Sequence, residues 1–344
     1  MSSHSTPEQS DLNNKQASTP KSGRPYIRLL LGSLTMAALL YLIFRSIDGA
    51  QLKKMLLQLD PKLCLWAFGV YMGMYGVRSA RFALLVPKAS FGTMLSIVAV
   101  HNFMLRLMPM RTGEFVYAYL VKRAGATGMT EGLLGVVLVR LLDATVVLLF
   151  FGTTLAFNRG SYLGDPELGL IVAGALALVG IIALIFYKHS LRLGIWTLGR
   201  MLAVLKLNRR PSVARTFDKL SEAIEEFSRL PLRVTLLAIV YTVVGWILNF
   251  AMIWLILAAC GPWLSVSRLV LGGTGSIVGS MLPVSAVGNF GALEATWALG
   301  FSLVGVSTQL AAASGIAFSM ITLGFAALVA PVGWVAIVRK HPSK

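Results

Sequence analysis

The sequence predicts an all-α polytopic integral membrane protein, with about six full spans plus two broken, re-entrant hairpins. Three observations carry that expectation. Of 344 residues, 56% are hydrophobic and only 13% are charged, about half the charged share of an ordinary soluble domain. The mean hydropathy is +0.74. Apolar runs recur along the chain at 27–46, 62–86, 91–109, 131–157, 168–187, 232–259, 266–305 and 308–338, several of them longer than the ~20 residues that cross a hydrocarbon core. These features exclude a soluble globular domain, a disordered chain and a coiled coil. No alternating ten-residue pattern of an outer-membrane barrel is present.

Taken in order, residues 1–25 are polar and rich in Ser, Thr, Gln, Asn and Pro, the composition of a disordered tail. Residues 26–340 form a single transmembrane domain. Its first run starts near Ile27, too late for a standard cleaved signal, so 27–46 reads as a signal anchor. Loop charges orient the rest. The stretch 188–233 holds ten Lys/Arg, whereas 158–167 holds only Arg159 and 260–267 holds no base. Basic loops stay cytoplasmic, so both termini are expected inside, in the inner (plasma) membrane. Parity then requires 90–123 to start and finish on the cytoplasmic face. That segment is broken at Met108-Pro109-Met110-Arg111-Thr112-Gly113-Glu114, where proline ends a helix. The run 266–305 is broken likewise between Leu282 and Glu294, with Pro283, Gly288 and Gly291 inside the break. It is either a second hairpin or two full spans. Units 62–157 and 231–338 thus share an order of span, broken Pro…Gly…Glu segment and span in opposite orientations. Inverted repeats with matching broken segments point to a transporter's midplane site. Between them lies a cytoplasmic amphipathic linker, about 188–230, in which Phe217, Leu220, Ile224 and Phe227 recur at helical spacing.

The net charge of +17 follows from topogenesis and attraction to anionic lipid headgroups. There is no soluble basic module for nucleic acid, and Cys64 and Cys260 form no disulfide framework. Nothing in the sequence sets an oligomeric state.

Charges at membrane depth are costly and face the protein interior or a wet cavity. Here they are Arg78, Arg81, Arg106, Arg111, Glu114, Arg140, Asp143 and Glu294: five arginines and no lysine. Arginine grips phosphate with a planar two-bond fork and stays charged, so the expected substrate group is an anionic headgroup. Each residue also has a plainer role. Arg78 and Arg81 can snorkel from a helix end, and Arg140 and Asp143, three apart, can neutralise each other. Glu294 either titrates or pairs with Arg111 or Arg106. His101 is a satisfied interior imidazole rather than a metal ligand, since no second ligand sits at metal spacing. Asn249 bonds across helices, and Gly275 with Gly279 packs a helix closely. The pivots at the breaks are Pro109, Gly113, Pro283, Gly288 and Gly291. There is no P-loop, zincin or nucleophile-elbow motif, so neither a cofactor nor ATP hydrolysis is expected.

The sequence of Pro109-Met110-Arg111-Thr112-Gly113-Glu114, then Arg140-Leu141-Leu142-Asp143, then Leu282-Pro283 through Gly288, Gly291 and Glu294 resembles the flippase-like membrane domain of lysylphosphatidylglycerol synthases over roughly residues 27–338. Family members often carry an Arg three residues after the first Gly-Glu, where this chain has Tyr117. Many have an Asn shortly before the first Pro, where this chain offers Met104 to Arg106. The resemblance implies a stand-alone member without the synthase domain, one that translocates lipids or handles lipid-linked intermediates rather than transferring lysine. The leading expectation is a lipid flippase-like transporter and not an enzyme, with membrane lipids as its partners. The alternatives are a membrane-embedded enzyme or partner subunit acting on lipid intermediates, and a small-solute secondary transporter.

Overall fold

The computed structural model describes residues 57–86, 88–108, 112–157, 166–185, 187–204, short pieces between 214 and 225, 229–261, 263–281 and 292–340. The polar tail, the 27–46 run and the two break centres, with Arg111, Pro109, Pro283, Gly288 and Gly291, lie outside these residues. Every regular element among the described residues is helical. In chain order they are α1 (Pro61–Leu85), α2 (Phe91–Leu107), α3 (Gly113–Arg123), α4 (Met129–Phe157), α5 (Pro166–Ile185), α6 (Tyr187–Val204), α7 (Leu232–Cys260), α8 (Val266–Met281), α9 (Ala292–Leu303) and α10 (Thr308–Lys340).

Local chemistry sets the ends. Asp60 caps α1, its side chain accepting from the Lys62 N–H at 2.8 Å, with Pro61 in the first turn. Ser90 caps α2 by accepting from the Thr93 N–H. α2 stops at Met108, ahead of Pro109, as the residue before a proline leaves the helical region. The short helices α3 and α9 end alike. Gly125 (φ 67°) donates to the Lys122 carbonyl and Ala126 to the Val121 carbonyl; Gly305 (φ 87°) donates to Ser302 and Val306 to Phe301. Each is a glycine-terminated Schellman stop in a left-handed conformation that only glycine adopts cheaply.

Helix lengths separate two kinds of element. α4, α7 and α10 are each long and apolar enough to cross a membrane. α3 and α9, with 11 and 12 residues, reach only about 16–18 Å at 1.5 Å per residue, short of a ~30 Å hydrocarbon core. Exposed Leu236, Val240, Val244 and Ile247 form a stripe along α7, and Leu328, Val332 and Val335 another on α10. Apolar side chains facing outward at helical spacing are what a lipid-facing surface requires.

The packing of α1–α4 is echoed in α7–α10. Within each group the first helix packs on the second, the second on the third and the third on the fourth. Between groups, α1 packs along α7. α2 of the first group lies against α10, and α8 of the second lies against α4. Close approaches are built from small residues. A Cβ on Gly275 would come within 2.6 Å of the Thr296 carbonyl oxygen, and one on Gly113 within 2.7 Å of the α2 backbone at Met104 and Leu105. Close packing expected at Gly275 is therefore present, with α9 as the neighbour. The basic linker opens with α6, an 18-residue helix beginning two residues after α5 ends; of the amphipathic set further on, Ile224 is buried in the core.

Candidate functional site

Where the two groups meet, α1, α2, α4, α7, α8, α9 and α10 line a cavity of about 170 Å³, large enough to hold several waters. Four guanidinium groups line it: Arg78 and Arg81 from α1, Arg106 from α2 and Arg140 from α4. One carboxylate, Asp143, lines it with them. Phe82, Leu105, Ile253, Leu293 and Phe318 supply apolar wall, and Asn102, Asn249 and Ser276 further polar groups. Four of the arginines singled out in the sequence thus converge on one space, though they come from three helices.

Arg81 and Asp143 form the best-ordered contact. Arg81 is 4% and Asp143 7% exposed. The Arg81 Nη1 donates to Asp143 Oδ1 at 2.6 Å and to the Thr242 hydroxyl at 2.9 Å, and its Nη2 reaches Asp143 Oδ2 at 3.4 Å. The Trp246 indole N–H donates to the same Asp143 Oδ1 at 3.0 Å. A fork-to-fork ion pair, with Thr242 as an added acceptor for Arg81 and Trp246 as an added donor to Asp143, satisfies charges that would be very costly alone in a dry interior. It fastens α1, α4 and α7 together. The expected pairing of Arg140 with Asp143 inside α4 is not found. Asp143 is taken by Arg81, and Arg140 Nε lies 3.4 Å from Glu114 Oε1 of α3, close enough for an ion pair without an aligned hydrogen bond.

Arg78 and Arg106 differ. Neither is hydrogen-bonded to a carboxylate among the described residues. The Arg81 Nε is a buried donor that meets no acceptor. Snorkelling does not describe Arg78 or Arg81, since both turn to the cavity.

His101 is the satisfied interior histidine the sequence predicts. It is buried, its Nδ1 lies 3.2 Å from the Gly113 carbonyl oxygen and its ring packs on Tyr117. A carbonyl only accepts, so Nδ1 is the protonated nitrogen. This bond ties α2 to the start of α3. Tyr117 is fully buried against Phe82 and His101. Asn249 lines the cavity. Glu294 is 1% exposed on α9 and accepts a hydrogen bond from the Ser319 hydroxyl of α10. It sits one residue past the cavity-lining Leu293, as Ser319 does past the cavity-lining Phe318. Thr242, Trp246 and Ser319 carry no signal in the sequence that points to the site, whereas Asn102 carries one as a lone amide in an apolar arm.

Among the described residues, no cluster of His, Cys, Asp and Glu could hold a metal ion. The arrangement is that of an all-α integral membrane protein with an arginine-lined polar cavity at the junction of two helix groups. The chain belongs to the family of the lysylphosphatidylglycerol synthase transmembrane region, whose family model matches residues 27–330. No curated protein and no solved structure shows a significant match to the chain.

Proposed function

We propose that this protein is a lipid flippase-like transporter of the inner membrane that moves a phosphate-bearing lipid or lipid-linked intermediate between leaflets. The observation that carries the reading is the convergence of four arginines on one cavity where both helix groups meet. Arginine forks bind phosphate oxygens in pairs, and the apolar wall and exposed lipid-facing stripes leave the acyl tails outside the charged space. Membership in a family named for a lipid synthase supports a lipid as the cargo. The reciprocal packing of α1–α4 and α7–α10, with matched glycine stops on α3 and α9, supports an inverted repeat whose halves rock around the cavity. The short lengths of α3 and α9 support re-entrant hairpins. We read the chain as a transporter and not an enzyme.

The function is tested in liposomes holding the purified chain and a panel of tail-labelled lipids. Faster loss of outer-leaflet signal than in protein-free vesicles is expected for at least one phosphate-bearing lipid. Conversion of the label into a new chemical species would replace this reading with that of an enzyme.

The hairpin has its own test. Lys88 and Lys122 are both exposed, one before α2 and one near the end of α3. In a variant with Cys64 and Cys260 replaced by serine, cysteines at 88 and 122 are expected to react with an impermeant thiol reagent from the cytoplasmic side only. Labelling from opposite sides would make α2–α3 a full crossing and remove the inverted repeat.

A further inference from the structure

The cavity's charges can be sorted by what already holds them, and the remainder defines a ligand. Arg81 is cancelled by Asp143 at 2.6 Å and Arg140 faces Glu114 at 3.4 Å. Arg78 and Arg106 remain without a hydrogen-bonded carboxylate among the described residues, on facing helices α1 and α2. An orphaned polar atom points the same way: Arg81 Nε is a buried N–H donor on a cavity-lining residue. Buried donors are nearly always satisfied, and an unsatisfied one marks a missing partner. Two guanidinium groups and one orphaned donor together call for a compact, acceptor-rich group with about two negative charges.

Building on the transport reading above, we infer that the cavity is selective for a lipid ending in a phosphate monoester, held between Arg78 and Arg106, over lipids whose phosphate is a diester. A monoester carries about −1.5 to −2 charges near neutral pH and three terminal oxygens. A diester carries one charge and two free oxygens, which leaves one guanidinium unmatched in a partly desolvated site. A zwitterionic or cationic headgroup brings an ammonium among four arginines and is disfavoured by repulsion. The separation of roles is part of the inference: Arg81, whose two Nη atoms hold Asp143, and Arg140 position the helices, while Arg78 and Arg106 grip the ligand and the Arg81 Nε adds one donor to it.

The test uses the full chain in phosphatidylcholine vesicles with tail-labelled phosphatidic acid, phosphatidylglycerol and phosphatidylethanolamine, read by quenching of outer-leaflet label. Phosphatidic acid is expected to cross at least about tenfold faster than the other two, about what one extra charge-assisted hydrogen bond contributes. Arg78→Gln and Arg106→Gln should each remove most of that advantage. Arg106→Lys keeps the charge without the fork and should retain part of it, with an elution profile in detergent that shows folded protein. Equal rates for phosphatidic acid and phosphatidylglycerol, or an advantage that survives both glutamine variants, would overturn the monoester inference and leave lipid transport standing. Vesicles that accumulate radiolabelled inorganic phosphate while no lipid moves would show that the arginines serve a free anion, overturning both readings. No probe crossing faster than in protein-free vesicles would likewise overturn both.

Discussion

Asp143→Asn is expected to destabilise the protein by about 3–5 kcal/mol, the cost of leaving one partner of a buried ion pair uncompensated. The amide keeps the shape of the carboxylate but strands the Arg81 guanidinium, which is only 4% exposed. It also weakens what the Trp246 indole and Thr242 share with the pair. Because the network spans α1, α4 and α7, the loss should appear as a lower unfolding midpoint of the detergent-purified protein and a lower yield of monodisperse material. Arg81→Gln should cost a similar amount by stranding Asp143. Trp246→Phe removes one hydrogen bond to a charged group and should cost less, roughly 1.5–3 kcal/mol. The decisive variant replaces both charges, Arg81→Met with Asp143→Leu. Apolar side chains of similar volume often substitute for a buried pair without loss, so the double variant should be more stable than either single one. If each single variant melts with the wild-type protein, the pair is not holding the three helices together.

This network also marks the boundary of what the sequence discloses. Charges inside apolar runs stand out in any hydropathy reading, and Arg78, Arg81, Arg106 and Arg140 do meet in one cavity. Their partners were not legible. Arg81 finds Asp143 62 positions away and Thr242 161 positions away. Periodicity within a helix sees only neighbours three and four apart, and so it offered Asp143 to Arg140. Trp246 gives no sequence signal at all, because an indole in an apolar helix is ordinary until its N–H finds a carboxylate. The helix α6 was hidden for the opposite reason. Within the amphipathic linker the helical spacing picked out was that of Phe217 to Phe227, whereas Leu191, Leu198 and Leu202 also recur at helical spacing among the basic residues Arg192 and Arg200. The end of α2 at Met108 was readable because proline acts locally on the residue before it. What surrounds His101 and Glu294 was only partly so, since the Gly113 carbonyl and Ser319 reach them across helix pairs.

Glu294→Gln is expected to leave a folded protein that exchanges lipid downhill but no longer responds to a proton gradient. The carboxylate lies at the α9–α10 seam, beside two residues of the cavity wall, and receives the Ser319 hydroxyl. A hydroxyl donates to a carboxylate and accepts from a carboxylic acid equally well. The seam therefore has a partner for both protonation states without repacking, which is what a proton-carrying group inside a membrane requires. The seam is otherwise held independently: the Trp297 indole donates to Ser314 at 3.1 Å, and its ring packs on Phe301 and Phe318. Glutamine mimics the protonated acid in shape and keeps an acceptor for Ser319, so its stability should stay within about 1 kcal/mol of wild type, inside the range of most mild substitutions. Ser319→Ala removes the donor instead and should cost roughly 1.5–3 kcal/mol, as a bond to a charged group. Measuring both variants and their combination gives the coupling between the two residues. Transport is then followed in vesicles with and without an imposed pH difference. A stable Glu294→Gln variant with unchanged gradient-driven transport would reduce the pair to a structural tie. A variant that unfolds, and is rescued by a second change at a neighbouring arginine, would make Glu294 a charged strut instead.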